Sequence, residues 1–330
     1  MSAFLQRKQR GAALLTAMII VTLVAALAAA MVWHQQRALQ VEASERSRSQ
    51  ADWMLLGALD WARLILREDA VSNQNRKNWD HLGEPWAVPL AEARLSTFLG
   101  GDDKGTPADD GPAAFLSGRI DDAQARYNLR NLLVSDPARL LIEQRTLAKL
   151  CELAGASPGT ASLIDKQLHA AFASEPAADA PLQIDRARDL IWLGLPQDVV
   201  ARLAPFLTLL PQSTPVNLNT APREVIAALV EGLDLASAER LVQARQNAPL
   251  ASTADAGPYL PSSVVLPADR ASVVSSYFYV TGRLRLDEHV LVQRALVRRV
   301  GVSVSVLERE TASEVSSDTP NPSGPQGLPP

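Results

Sequence analysis

The sequence predicts an α+β protein built on one long N-terminal helix, with a large all-α domain inserted between its sheet-forming segments. Three observations carry this reading. Gly11–Trp33, GAALLTAMIIVTLVAALAAAMVW, is an uncharged apolar run. Segments of β character fall in two groups far apart in the chain, Pro85–Ile120 and Tyr277–Leu307. Between them, Asp136 to about Arg245 has the apolar spacing of helices. The 330 residues are 47% hydrophobic and 21% charged, ample for a core and for more than one domain.

As a helix, Gly11–Trp33 reaches roughly 33 Å at about 1.5 Å per residue, enough to cross the hydrocarbon core of a bilayer. The head before it, MSAFLQRKQR, carries Arg7, Lys8 and Arg10. Basic residues before the span put the head in the cytoplasm and residues 34–330 across the membrane. Three accounts fit the run. It can be a secretory signal peptide cut after Ala28-Ala29-Ala30, or an uncut signal anchor. In the third, a cytoplasmic-side peptidase cuts at Arg10-Gly11-Ala12, where the basic head meets the span, and leaves the apolar segment in place. Trp33 and the polar His34–Arg37 mark the outer interface. No helix breaker follows until Gly57, and Trp53, Leu56, Leu59, Arg63 and Leu66 fall near helical spacing. One helix of roughly fifty residues or more is expected to run from the membrane into the soluble domain; a hinge near Ser44–Ser49 would divide it in two.

After a polar patch at Asn73–Asn78, Pro85–Phe98 and Phe115–Ile120 read as short strands around the loop Gly100–Pro112. Asp102, Asp103, Asp109 and Asp110 of that loop are hard oxygen ligands that could hold calcium, although their spacing matches no EF-hand. In the helical block, Leu140, Leu147, Cys151 and Ala154 share one face, and Ile164, Leu168, Ala171 and Phe172 another. Asp136-Pro137 and Ser157-Pro158 would supply the cap and first residue of these two helices. Further helices are expected at about Ile184–Leu193 and Gln197–Leu209, with Glu175–Pro181 as a connector. Strands return at Tyr277–Thr281, His289–Val300 and Val300–Leu307, with a turn at Leu286-Asp287-Glu288. Beyond Glu310 the Pro/Ser/Gly-rich tail reads as disordered.

The net charge of −4 gives no electrostatic reason to expect nucleic acid. Cys151 is the single cysteine, so no intrachain disulfide can form, and in its apolar helical setting it reads as a small buried hydrophobe. His34, His81, His169 and His289 are scattered, with no pair at metal-ligand spacing. No phosphate-cradling Gly loop and no G-x-S-x-G occurs. Asp121-Asp122 reads as a turn or helix-start feature rather than an acid/base pair. These points favour a non-enzymatic protein with no cofactor.

Val216–Arg245, VNLNTAPREVIAALVEGLDLASAERLVQAR, is the sharpest soluble motif. Asn219 or Thr220 can cap a helix with Pro222 and Glu224 in its first turn. Glu231-Gly232-Leu233-Asp234 is a tight connection to a second helix. The pattern resembles a helix-hairpin-helix. DNA-binding forms of that motif need positive charge, whereas this hairpin offers Glu231 and Asp234 with only Arg240 and Arg245 behind them. A packing module is the expectation; a membrane-anchored DNA receptor is the rival, and a hydrolase released by cleavage after Ala30 a further one.

Several stretches together resemble one family. The Arg10-Gly11-Ala12 junction is similar to the class III leader of type IV pilins and type II secretion pseudopilins. Ile120–Leu129, IDDAQARYNL, resembles a strand-to-helix pattern I-x-D…R-[FY]-N-L. Leu203–Pro211, LAPFLTLLP, followed by Val216–Pro222, VNLNTAP, resembles the signature of the K-type minor pseudopilins, also called general secretion pathway protein K. Tyr277-Phe278 and the last strands fit the same family, so that the likeness covers roughly residues 7–308. The resemblance implies a pseudopilin fold, a long transmembrane helix packed on an antiparallel sheet, with an inserted helical domain containing SAM- and helix-hairpin-helix-like motifs. The implied layout is a leader at 1–11, a membrane segment at 12–33, a pseudopilin domain at 34–125 and 258–310, the insert at 126–257 and a tail at 311–330.

It implies an inner-membrane protein of a single pass with most of its mass in the periplasm. A prepilin peptidase would cut between Gly11 and Ala12, and the new Ala12 amine would be methylated. Implied partners are the I- and J-type minor pseudopilins, which would form a tip complex with it, and the inner-membrane assembly platform. Nucleic acid is not expected. Calcium occurs in some relatives, but no ligand set maps onto this chain, and Leu163–Gln167 is more basic than the family leads one to expect. With Ala12 as first mature residue, Thr16 is the fifth, where most pilin-like subunits have Glu. A carboxylate there costs roughly 3 kcal/mol in the bilayer unless paired. A hydroxyl can instead bond to a carbonyl one turn back. K-type members characteristically lack this Glu, so Thr16 agrees with the family and suits a subunit with no neighbour ahead of it.

Overall fold

The computed structural model describes residues 2–74, 79–95, 114–175, 177–261, 266, 269–286 and 289–315, without the side chains of 2–11, 73–74, 289 and 314–315. Chain contacts divide the protein into two units, Met1–Leu56 and Gly57–Pro330. Helix α1, Ser2–Gln74, is unbroken for 73 residues, with no interruption at Ser44–Ser49 or at Gly57. Residues 12–33 are exposed throughout, as expected of an apolar helix that faces lipid on all sides. The helix from Ala12 is long and apolar enough to cross a membrane, with a mean hydropathy of 2.6 in its most apolar window.

In the second unit, α1 buries Leu59, Ala62 and Leu66 against one face of a five-stranded sheet. The strands are β1 (Leu90–Arg94), β2 (Ala114–Asp122), β7 (Tyr277–Leu286), β8 (His289–Val300) and β9 (Ser303–Val315), antiparallel and in that spatial order. Ile120, Phe278, Val280, Ala295, Val297 and Val304 supply the sheet's side of this core. Trp86 meets the Phe278 ring edge to face at 5.2 Å and seals one end. Arg63 closes the other, donating Nη2 to the Val304 carbonyl at 2.9 Å. Of the expected helix face, Leu59 and Leu66 are buried, but Trp53 is 73% exposed.

Residues 123–276 leave the sheet after β2 and return at β7. They fold around a second core running from Tyr127 to Val273. Its helices are α2 (Pro137–Leu153), α3 (Thr160–Ala171), α4 (Gln197–Leu203), α5 (Arg223–Leu229) and α6 (Leu235–Asn247). Two short parallel pairings accompany them, β3 (Tyr127–Asn128) with β4 (Leu207–Thr208) and β5 (Val216–Asn217) with β6 (Ala271–Ser272). Asp136 caps α2 as expected, accepting from the Ala138 N–H at 3.1 Å, with Pro137 in the first turn. Ser157 does not cap α3: Gly159, at φ +93°, holds that place, and the Ser157 carbonyl accepts from Thr160. The expected helix through Leu209 stops at Leu203, because Pro205 lacks a donor and Leu207–Thr208 pairs with Tyr127–Asn128. Ala187–Leu193 is a 3₁₀ helix rather than an α-helix.

The insert also touches the sheet's outer face, where Ala123 and Leu210 pack on Tyr277 and Leu296. Strand β9 runs to Val315, past the Glu310 limit suggested by composition, because His289–Arg294 of β8 continue to pair with it. The loop at Gly100–Pro112, the turn residues Asp287 and Glu288, and residues beyond Val315 lie outside the described residues.

Candidate functional site: two motifs meeting at a buried carboxylate

The IDDAQARYNL and VNLNTAP stretches, about ninety residues apart, converge on Asp122. Asp122 ends β2, and its Oδ1 accepts from the Gln124 N–H at 2.8 Å, opening a 3₁₀ turn. Its Oδ2 accepts from Thr220 Oγ1 at 2.6 Å, Ser275 Oγ at 2.6 Å and Asn217 Nδ2 at 3.0 Å. Asn128 likewise receives the Leu210 N–H and donates to the Gln212 carbonyl and to Thr214. Asn131 accepts from the Thr214 N–H, and Asn219 makes two bonds with the Leu250 backbone. These polar side chains replace regular backbone pairing where the insert leaves and rejoins the sheet. A buried amide or carboxylate left unmatched there would cost about 1–3 kcal/mol. Asn219 and Thr220, expected to cap α5, are spent on these contacts, and Pro222 takes the cap position with no side-chain bond.

Beside Asp122 lies a second cluster that sequence reading missed. Arg299 of β8 pairs through Nη1 with Asp69 of α1 at 2.6 Å and through Nη2 with Asp80, and it also donates to the Ser275 carbonyl. Its guanidinium lies 4.8 Å from the Phe278 ring centre. Glu84 accepts from the His81 N–H and from Trp86 Nε1. The only sequence signal was a charged residue at an inward strand position, Arg299 in LVRRVG. Carboxylate oxygens of Asp69, Asp80 and Glu84 approach within 4.8 Å of one another, a geometry that could hold a metal. Arg299 pairs with two of these three carboxylates, Asp69 and Asp80. The calcium candidates Asp102, Asp103, Asp109 and Asp110 lie outside the described residues.

Burial pushes Asp122 up to about 6, with Asp80 adding to the rise, against hydrogen bonds from Ser275 and Thr220. Asp69 also rises to about 6, through burial first and then the Glu84 and Asp80 charges, with Arg299 opposing. Burial lowers His81, whose Nδ1 accepts from the Gly83 N–H. Cys151 is buried, and burial raises its thiol to about 11, as suits an inert core residue.

Among the N-terminal candidates, Thr16 Oγ1 donates back to the Ala13 carbonyl at 2.9 Å and lies 3.1 Å from the Ala12 carbonyl. Ala12 is an exposed residue of α1; the surroundings of Gly11 lie outside the described residues. The hairpin is formed as read: α5, a link with Gly232 at φ +79°, then α6 capped by Asp234, which accepts from Ser237 at 2.7 Å. Val225, Ile226, Leu229, Leu233, Ala238 and Leu241 are buried in the insert's core. Arg245 points inward, donates to the Leu218 carbonyl, and is pushed down to about 10 by burial. Glu231 is held by Arg145 at 3.2 Å. Of the hairpin's two supporting cations, only Arg240 faces solvent.

Residues 216–273, which hold β5, the hairpin and β6, match the model of the family described as Type II secretion system (T2SS), protein K. Type II secretion system protein K of Pseudomonas aeruginosa is 30% identical over 263 residues, covering 73% of this chain and 74% of that protein. The protein of the same description from Pectobacterium carotovorum is 25% identical, covering 93% of this chain and 97% of the relative. Among solved structures, a chain of the GspK-GspI-GspJ complex of enterotoxigenic Escherichia coli superposes with a TM-score of 0.56 at 19% identity. That match covers 82% of this chain and 98% of the other, and it shows a shared fold.

Proposed function

The chain belongs to the protein K family of type II secretion systems, the K-type pseudopilins, and on that premise we propose that it starts and caps the periplasmic pseudopilus that drives folded proteins across the outer membrane. In this reading the chain is anchored in the inner membrane by Ala12–Trp33 with its bulk in the periplasm. Prepilin peptidase removes residues 1–11, the Ala12 amine is methylated, and the assembly platform lifts the subunit out. The I- and J-type pseudopilins are its partners; support comes from the solved complex of GspK with GspI and GspJ, whose fold this chain shares. The role is structural, without catalysis or nucleic-acid binding.

The observation that carries the tip position is Thr16. Its hydroxyl is satisfied within its own helix, so it offers no charge to a neighbour's terminal amine. A subunit in the shaft needs that partner ahead of it; a subunit at the end does not. Labelling one position of the chain and imaging assembled pseudopili tests this. One label at one end is expected, and labels at regular intervals along the shaft would overturn the proposal. Burial of Arg245 and the Arg145–Glu231 pair argue against the DNA-receptor alternative.

A further inference from the structure

The outer face of the sheet carries a concentration of arginine that the fold's own ion pairs use only in part. Cross-strand register stacks Arg119 of β2, Thr281 of β7, Arg294 of β8 and Glu310 of β9 in one row. The next row along is Asp121, Tyr279, Leu296 and Glu308. The insert brings Arg126, Arg186 and Arg188 over these rows, and the enclosed groove has a volume of about 390 Å³. On a chain of net charge −4, its lining holds five arginines against two glutamates.

Part of this charge is already matched. Arg119 pairs with Asp121 at 2.9 Å. Arg186 pairs with Glu308, and with Glu310 at 2.8 Å, while Arg188 reaches Glu310 at 2.5 Å. Arg126 and Arg294 make no ion pair among the described residues. Both guanidinium groups lie over the Tyr279 ring, at 5.9 and 4.2 Å from its centre. Burial, with the charges of Arg126 and Arg188 adding to it and Tyr279 and Asp121 opposing, holds Arg294 below its usual range. Two like charges on one ring, neither held in an ion pair among the described residues, form a site that an incoming anion would relieve.

We propose that this groove receives an acidic, extended segment of a partner polypeptide, whose carboxylates pair with Arg126 and Arg294. Glu308 and Glu310 provide the pattern within the molecule: two carboxylates, two residues apart on a strand, seated on arginines of the same groove. Alternate residues of an extended chain face one side, so a second segment with Glu or Asp at that spacing presents two carboxylates to the two free forks. The volume suits a few side chains and is far too small for a duplex. The inference rests on the groove alone and holds whichever end of an assembly the chain occupies.

The test titrates the full chain, in neutral detergent, into a fluorescent Glu-Ser-Glu-Ser-Glu peptide and follows anisotropy. Saturable, salt-sensitive binding is expected. It should weaken about tenfold or more both for the Gln-Ser-Gln-Ser-Gln peptide and for the variant Arg126→Gln/Arg294→Gln, the worth of roughly one charge-assisted hydrogen bond. Arg126→Lys/Arg294→Lys keeps the charge, loses the fork, and should fall between; it serves as the readout if the glutamine variant melts early. Equal binding of the two peptides, or unchanged binding by both variants, would overturn the proposal. So would arginine-dependent binding of inorganic phosphate or phosphatidylglycerol vesicles in preference to the acidic peptide.

Discussion

At neutral pH, Asp122 is a carboxylate in a place that favours the acid. Burial outweighs its hydrogen bonds and lifts its folded-state pKa from 3.8 to about 6, and Asp69 behaves alike. The folded chain therefore binds more protons than the unfolded chain between about pH 4 and pH 6. Stability contributed by these groups is present at the acid end of that window and is lost as pH rises through about 6. Two kinds of lowered group act oppositely: His81, as pH falls below its ordinary 6.5, and carboxylates such as Glu310, as pH falls below the ordinary carboxylate range. Thermal melts of the detergent-solubilised chain should thus rise by about 2–4 °C from about pH 7 to about pH 5. Asp122→Asn should flatten that slope; a variant that keeps the full slope would show that other groups set it. At the other end of the chain, Gly11 sits where the basic head meets the span. Gly11→Trp should leave a longer, uncut form by intact mass, whereas the wild-type chain should begin at methylated Ala12. Normal trimming of the tryptophan variant by the same peptidase would count against that cleavage site.

Elements explain how much was legible. The long helix, strands β7 to β9 and the hairpin were readable because each has a period or a punctuation mark. These are the uncharged run, the Tyr277–Val280 and His289–Val300 blocks, and Gly232 between two apolar stripes. What was not readable depends on partners distant in sequence. In Gln197–Leu209 the local stop signal was Pro205, but that Leu207–Thr208 beyond it forms a strand pair depends on distant Tyr127–Asn128. Asn219 and Thr220 look like caps, and become fasteners to Leu250 and Asp122 instead. Asp69, Asp80 and Arg299 carry no local pattern at all and are joined only by packing α1 on the sheet. The hairpin gives this level its prediction. Gly232 has φ +79° with open space around an added Cβ, so Gly232→Ala meets no clash and tests backbone strain alone. It should cost roughly 1–2 kcal/mol in urea unfolding, and Gly232→Asn less. Equal stability of wild type and Gly232→Ala would show that the link relaxes out of the left-handed region.

For the whole molecule, the insert and the sheet are separable in principle because of register. Asp122 of β2 faces Phe278 of β7, so the points where the insert leaves and returns are adjacent antiparallel neighbours. Replacing residues 124–275 by a short Asn-Gly turn would close β2 and β7 into a hairpin without disturbing the order β1-β2-β7-β8-β9. The cost is the contact of Leu210 with Ala123, Tyr277 and Leu296, together with the bonds of Asp122 to Asn217, Thr220 and Ser275. The core of Leu59, Leu66, Trp86, Phe278 and Val297, and the Arg299 pair with Asp69, stay in place, whereas Asp80 loses its bonds to Val273, Asn217 and Ser275. If the insert's bulk is what confines the chain to the end of a pseudopilus, the trimmed chain should lose that confinement. Combined with Thr16→Glu, which restores the carboxylate of a shaft subunit, it should appear as labels within the shaft of lengthened pili. Thr16→Glu alone should leave the label at one end, because the insert still blocks further addition. Labels confined to one end in the combined variant, with the trimmed sheet shown folded by its circular dichroism, would mean that neither the insert nor Thr16 sets the position.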